Sequence, residues 1–440
     1  MKSARLPAWF VLLWITALSV FLLTGLASIP FHPDESTQLY MSSDLRALIT
    51  QPRSLFFDPE KKDDPRQSYR LLDAPLTRYL LGAGLGIAGL QPVAQDWDWS
   101  RTWDENRSAG ALPEARQLLA GRLAVALTLP LSLIMIYICG QYLGGIWAGL
   151  LATLLLCLHA LVLLHARRAM AEGALLLGTC AFLASLPAAD RRPWLAGLAF
   201  GLAFNAKQSA LILLPVGLLA VAWSAQGGWL PWRRLTSSFM QYLLSFGLLT
   251  LLLNPILWKQ PVQAAQAAIQ ARRELLSEQV ADVQRAMPQQ LLETPGERVV
   301  VLLAHLYLAP PMFAEAGNYR AGTAAAEAEF LANPFHTLGR NLPGAGSLLG
   351  LTLFGLIAAA RRAKRADPSQ KRGLALFFLA TLLQTLGLVL AVPLAWQRYV
   401  IPLVPLVCIW ASLGLVWMGA IFRQLREVEQ GRRGKVLPQE

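Results

Sequence analysis

Charge is scarce in this sequence: only 15% of its 440 residues are Asp, Glu, Lys or Arg, while 55% are hydrophobic. The apolar residues come in blocks of about 20, the length at which a helix rising 1.5 Å per residue spans ~30 Å of hydrocarbon. A soluble globular enzyme is thereby excluded. The blocks are rich in Leu, Ala and Gly and lack period-2 alternation. Because unpaired backbone groups are not tolerated in lipid, they read as helices rather than as strands of a β-barrel. Cysteine is equally sparse: Cys139, Cys157, Cys180 and Cys408 are the only four. All lie in or at the end of apolar blocks and read as small hydrophobes, with no disulfide framework and no CxxC pair. His159, His165, His305 and His336 are scattered without ligand spacing.

What the sequence has instead is a succession of candidate spans, near residues 7–29, 117–139, 142–164, 169–187, 193–205, 208–225, 238–256, 344–360, 373–395 and 400–422. The first follows Lys2 and Arg5 as a signal peptide would, but its apolar core is too long and no small-x-small cleavage site closes it, so it reads as a retained span. Two stretches, 74–91 and 299–313, are shorter or interrupted and read as lying on the membrane. If both spanned there would be twelve helices, with the second half keeping its orientation. With neither spanning, one side collects 17 basic and 5 acidic residues and so carries the whole net charge of +12. The positive-inside rule makes that side cytoplasmic. Both termini and a basic tail, 423–440, are then cytoplasmic, and the charge calls for no nucleic-acid partner.

The expected fold is therefore an all-α polytopic membrane protein, a bundle of about 10 transmembrane helices occupying 1–422. Two long outer loops, 30–116 and 257–343, interrupt it. Loops of that length carry function. Within them 261–290 reads as an Ala/Gln/Glu-rich surface helix and 74–91 as an amphipathic juxtamembrane helix.

Directly after the first span comes His32-Pro33-Asp34-Glu35-Ser36-Thr37-Gln38-Leu39-Tyr40. Two adjacent carboxylates there can hold a general base near the headgroup plane; a solvated helix cap is the plainer reading. On this topology Arg122, Arg167, Arg168, Glu172, Lys207 and Arg398, with Asn254 and Tyr399 nearby, all fall at the outer ends of spans. Charges at such positions are costly and mark function, although each cation alone reads as a snorkelling anchor. Together they suit an anionic lipid headgroup. A transporter or flippase of a lipid-linked or anionic solute is the alternative, but it would place charges and broken helices near the midplane.

With these residues in view the sequence resembles the polyprenyl-phosphate-sugar-dependent GT-C glycosyltransferases, particularly family 39, the protein O-mannosyltransferase and aminoarabinose transferase-like enzymes. Four segments carry the likeness: Asp34-Glu35 after the first span; Asp73-Ala74-Pro75-Leu76; Arg167 to Glu172 followed by Gly197 to Lys207; and Arg398-Tyr399-Val400-Ile401-Pro402. The sequence departs from the family pattern at Asp73-Ala74, Gln208 and Glu172.

The resemblance implies a GT-C-like bundle and a donor sugar on a polyprenyl phosphate, with an acceptor hydroxyl arriving from the outer side and inversion of configuration. It implies Asp34 as general base, with Glu35 positioning the acceptor. Lys207, Arg398, Arg122 and Arg168 would bind the donor phosphate, and His32, Asp73, Glu172 and Tyr399 would contact substrate. Asp73 also reads as an N-cap. The sequence requires no cofactor; a divalent metal held by Asp34, Glu35 and a third ligand stays open. Membrane lipids are the other expected partners, and the acceptor is unassigned. The short cytoplasmic loops suit a bacterial inner membrane.

Overall fold

The computed structural model describes residues 6–61, 63–315 and 319–433. Lys2, Arg5 and Lys435, counted above toward the positive side, lie outside them. Among the described residues the chain is helical, with two isolated β-bridges, Trp223 with Trp229 and Leu291 with Leu394.

The first apolar block forms α1 (Ala8–Leu23). The first long loop, which follows, holds α2 (Pro33–Met41), α3 (Ser43–Thr50), α4 (Pro65–Leu72), α5 (Leu76–Ile87) and α6 (Trp103–Ser108). Then come α7 (Ala115–Ala126), α8 (Leu129–Gly144), α9 (Ile146–Cys157), α10 (Ala160–Leu164), α11 (Ala171–Ser185), α12 (Pro193–Ala206), α13 (Leu214–Ala222) and α14 (Trp232–Leu253). The second long loop holds α15 (Pro261–Ala286), α16 (Pro295–Leu303) and α17 (Arg320–Ala332), before α18 (Leu342–Ala363), α19 (Pro368–Ala391) and α20 (Val404–Arg433). Proline in the first turn starts many of them, where its missing N–H costs no intrahelical bond, as at Pro33, Pro193, Pro261 and Pro368.

All ten expected spans are helical. Six helices, Ala115–Gly144, Ala171–Ala188, Trp232–Leu253, Leu342–Ala363, Pro368–Ala391 and Gln397–Glu427, are long and apolar enough to cross a membrane. The other four segments are apolar helices of 10–17 residues. The two ambiguous stretches form short elements. α5 has 12 residues, about 18 Å, too little to span. α16 has 9 and passes into a π-helical turn, Ala304–Leu308. The four cysteines are buried and free.

Packing at the bundle centre relies on small residues, as in membrane helix pairs generally. α18 and α20 approach so closely at Gly355 and Gly414 that a Cβ on Gly355 would run into the Trp410 carbonyl, and one on Gly414 into the Leu351 carbonyl. Trp410 is fully buried, stacked on Phe378 at 4.8 Å between centroids and donating Nε1–H to Thr381 Oγ1 at 2.9 Å. Near the start of α19, buried Arg372 donates to the Pro187 and Ala220 carbonyls and lies 3.7 Å from Asp190, tying three elements together.

Candidate active site

Proline at position 33 makes α2 begin immediately after the first span, and His32 caps it by accepting the Asp34 N–H at Nδ1. Helical geometry then separates the two acidic neighbours, since adjacent residues lie about 100° apart around the axis. Asp34 and Glu35 point to different places. The Asp34 side chain is 33% exposed, whereas that of Glu35 is 0% exposed.

Glu35 is fully engaged. Arg122 grips it bidentately, Nε to Oε1 and Nη2 to Oε2, both at 2.8 Å. The Ala169 N–H donates to it at 2.9 Å and the His32 N–H at 3.1 Å. Burial alone would raise its pKa, but Arg122 overcomes that and holds the carboxyl below the usual range. Both of its oxygens are occupied by these donors. Arg122 is buried and also bonded to the Leu26 carbonyl at 2.9 Å. Arg168 is fully buried and donates to the Pro30 carbonyl at 3.1 Å and the Phe313 carbonyl at 3.3 Å. Arg167 anchors the turn through the Leu163 and Thr24 carbonyls.

Asp34 meets Arg398, which donates Nη1–H to Oδ2. The same guanidinium stands 3.1 Å, Nε to Oε1, from Glu315, a residue that sequence reading missed. Glu315 Oε2 in turn lies 3.0 Å from His32 Nε2. Because His32 Nδ1 accepts from backbone, its ring proton belongs on Nε2, donated to Glu315. His32, 1% exposed, thus links the cap of α2 to Glu315. Burial would raise the Asp34 pKa, but Arg398 and then His32 outweigh it, so the carboxyl sits below the usual range; Glu315 opposes them. Arg398 and His32 likewise hold Glu315 far below that range against burial.

The segments carrying Arg398 and Glu315 are fastened to each other. Gln397 donates to the Pro310 carbonyl at 3.0 Å and accepts the Met312 N–H at 2.8 Å. The Leu292 N–H to Pro393 carbonyl bond, 2.7 Å, and the Ala395 N–H to Gln290 carbonyl bond, 3.0 Å, hold the approach to Arg398. Trp396 and Tyr399 flank its guanidinium, with ring centroids 5.2 and 5.9 Å away.

Lys207 joins from the end of α12. Its Nζ is 2.9 Å from Glu172 and 5.2 Å from the centroid of the Tyr399 ring, and the side chain keeps 26% exposure. Asp73 completes the group. It ends α4 instead of capping α5, whose N-cap is Pro75, and Gln38 donates to it at 3.1 Å. Burial pushes its pKa up, while Arg272, Arg78 and Lys207 pull it down and Asp34 adds to the rise. Asp96, bonded by Thr37 at 2.7 Å and by the Tyr69 hydroxyl, is raised by burial too.

The structure thus gathers Asp34, Asp73, Lys207, Glu172, Arg398 and Tyr399 and sets Glu35, Arg122 and Arg168 behind them as framework. Thr37 and Gln38 stand three and four residues after Asp34, on one helical face, a spacing that could have found them. Glu315 and Arg272 carried no such signal. Asp34 and Glu35 do not converge on one point, and among the described residues no group of three or more His, Cys, Asp or Glu is arranged to hold a metal. The tryptophans of the two long loops divide. Trp97, 2% exposed, and Trp103 pack with Phe31, while Tyr319 stands 6.3 Å from Trp97 between centroids. Trp258 stays exposed.

No protein-family model matches the chain, and no curated protein matches it either. Solved structures do. The archaeal oligosaccharyltransferase AglB of Archaeoglobus fulgidus, in complex with an inhibitory peptide and a dolichol-phosphate, aligns with 98% of this chain at 12% identity and a TM-score of 0.50. The apo form of that oligosaccharyltransferase aligns with 99% of the chain at 12% identity and a TM-score of 0.51. The chain covers 53% of the length of each, so it spans about half of the structures it matches. Over nearly its whole length the chain shares the fold of about half of that oligosaccharyltransferase.

Proposed function

We propose that this chain is a membrane glycosyltransferase that moves a sugar from a polyprenyl-phosphate donor to an acceptor hydroxyl, with inversion and with Asp34 as general base. The observation that carries the reading is the contrast within one pair: Asp34 is open and held by a cation, while Glu35 beside it is sealed into an Arg122 clamp. The fold supports it, since the archaeal oligosaccharyltransferase with this architecture has been captured with dolichol-phosphate.

In this reading the acceptor hydroxyl gives its proton to an Asp34 oxygen as its own oxygen bonds to the anomeric carbon. The bond from that carbon to the phosphate oxygen breaks, and its electron pair leaves on the phosphate. Arg398 and Lys207 stabilise that charge in a site of low polarity, where a fixed cation acts more strongly than water. Both cations are already paired, with Asp34 and Glu315 and with Glu172. An arriving phosphate therefore competes for them. When Arg398 turns toward phosphate, Asp34 loses the partner that depresses its pKa and becomes the stronger base. Donor binding and base activation are coupled through one guanidinium.

The active face is the outer one, and the basic loops at the far end are cytoplasmic, as in a bacterial inner membrane. The anomeric configuration of the product tests the reading. Nuclear magnetic resonance on sugar transferred by the reconstituted protein should show inversion, and retention would rule out a single displacement at Asp34.

A further inference from the structure

A second charged region stands at the opposite end of the bundle. α19 leads from it back toward Arg398 over 24 residues, about 36 Å. There α8, α18 and α20 enclose a cleft of about 600 Å³. Its floor is apolar, with Leu143, Leu413 and Trp417, and its rim carries Arg361, Arg362, Lys364, Arg365 and Arg423.

The rim differs from the ion-paired cations described above. Arg122, Lys207, Arg372 and Arg398 each face a carboxylate. No carboxylate lines this cleft, and among the described residues none of its five cations makes an ion pair. Positive charge needed only to orient the chain requires no cleft. Here the cations surround one, and Arg361 is steadied over the Trp417 ring at 5.4 Å. The floor also continues outward. Phe354, 44% exposed on α18, packs on Trp417 at 5.6 Å between centroids, so the lipid-facing side of α18 runs into the cleft.

We infer that this cleft binds an anionic phospholipid, its phosphate among Arg361, Arg362, Lys364 and Arg365 and its acyl chains along Trp417 and Phe354. Uncompensated cations supply the charge complement, and in a zwitterionic lipid such as phosphatidylcholine the headgroup's own ammonium offsets the phosphate and adds repulsion. The apolar floor and its continuity with α18 favour a lipid over free phosphate.

Native mass spectrometry of the full chain, released from nanodiscs of equal phosphatidylglycerol and phosphatidylcholine, tests this. The wild type should retain phosphatidylglycerol over phosphatidylcholine by at least about tenfold, given the attraction of several cations for one headgroup. Substituting Arg361→Gln, Arg362→Gln, Lys364→Gln and Arg365→Gln together should bring the ratio near one. Arg233→Gln with Arg234→Gln, in another basic loop, should leave it unchanged. Quenching by brominated phosphatidylglycerol that is lost in Trp417→Phe would place the lipid in the cleft without relying on the charge variant folding. Equal retention of both lipids by the wild type, quenching that Trp417→Phe leaves intact, or displacement by millimolar inorganic phosphate would each overturn the inference.

Discussion

Asp34 and Arg398 stand 364 residues apart in the chain and form an ion pair between the first turn of α2 and the segment that enters α20. Arg398 holds Asp34 and Glu315 at once, and Glu315 holds His32, the cap of the helix that carries Asp34. The loop of contacts closes on itself. The pKa of Asp34 therefore depends on charges that can be removed one at a time.

Removing Arg398 removes the main influence that opposes burial at Asp34. A base must be ionised, so the acid limb of kcat/KM reports its pKa in the free enzyme. In the wild type this limb should lie below the usual carboxylate range. In Arg398→Gln it should move to higher pH, with kcat lowered as phosphate stabilisation is lost. A pH profile of transfer by both proteins checks this.

Glu315 acts in the opposite sense, since its charge raises the Asp34 pKa. Glu315→Gln should move the acid limb further down, the reverse of Arg398→Gln. If both substitutions moved it the same way, the ion network would not control Asp34.

The Glu35–Arg122 clamp is a stability element. Truncating one partner of a buried pair leaves the other uncompensated, a cost of about 3–5 kcal/mol. Arg122→Gln should lower the thermal stability of the detergent-solubilised protein sharply, and the double variant with Glu35→Gln should recover part of the loss. The Glu35 pKa is depressed on folding, so its contribution is present above the unfolded carboxylate value and is lost as pH falls through the folded one. Arg122→Gln should abolish that acid-side component.

Much of this was legible in the sequence, for identifiable reasons. Apolar blocks define spans because lipid tolerates little else, so the ten segments appear as helices in order. Asp34, Lys207 and Arg398 were legible because charge at a span end is conspicuous. The fates of Glu35 and Arg122 were not. Their pairing joins residues 87 apart in the chain, and only the helical phase starting at Pro33 shows that the second carboxylate turns inward. Glu315 was hidden for a similar reason: its partner His32 is 283 residues away, and nothing local to it marks a site.

Helix packing gives a prediction independent of chemistry. A side chain on Gly355 meets the Trp410 backbone, which cannot rotate aside, whereas Gly350 on the same helix has nothing within 4 Å. Gly355→Leu should destabilise by at least about 1–3 kcal/mol through overpacking, and Gly350→Leu should be nearly neutral. Thermal unfolding of the two variants compares them directly.

Whether Asp34 is the base of glycosyl transfer is tested most directly by one assay. The purified protein is reconstituted with radiolabelled polyprenyl-phosphate sugars, and wild type is compared with Asp34→Asn. Loss of a general base should cut transfer by about 10²–10⁴-fold while donor binding and thermal stability are kept. Equal release of sugar by both proteins, or label carried across the bilayer with its bond to phosphate intact, would contradict the account.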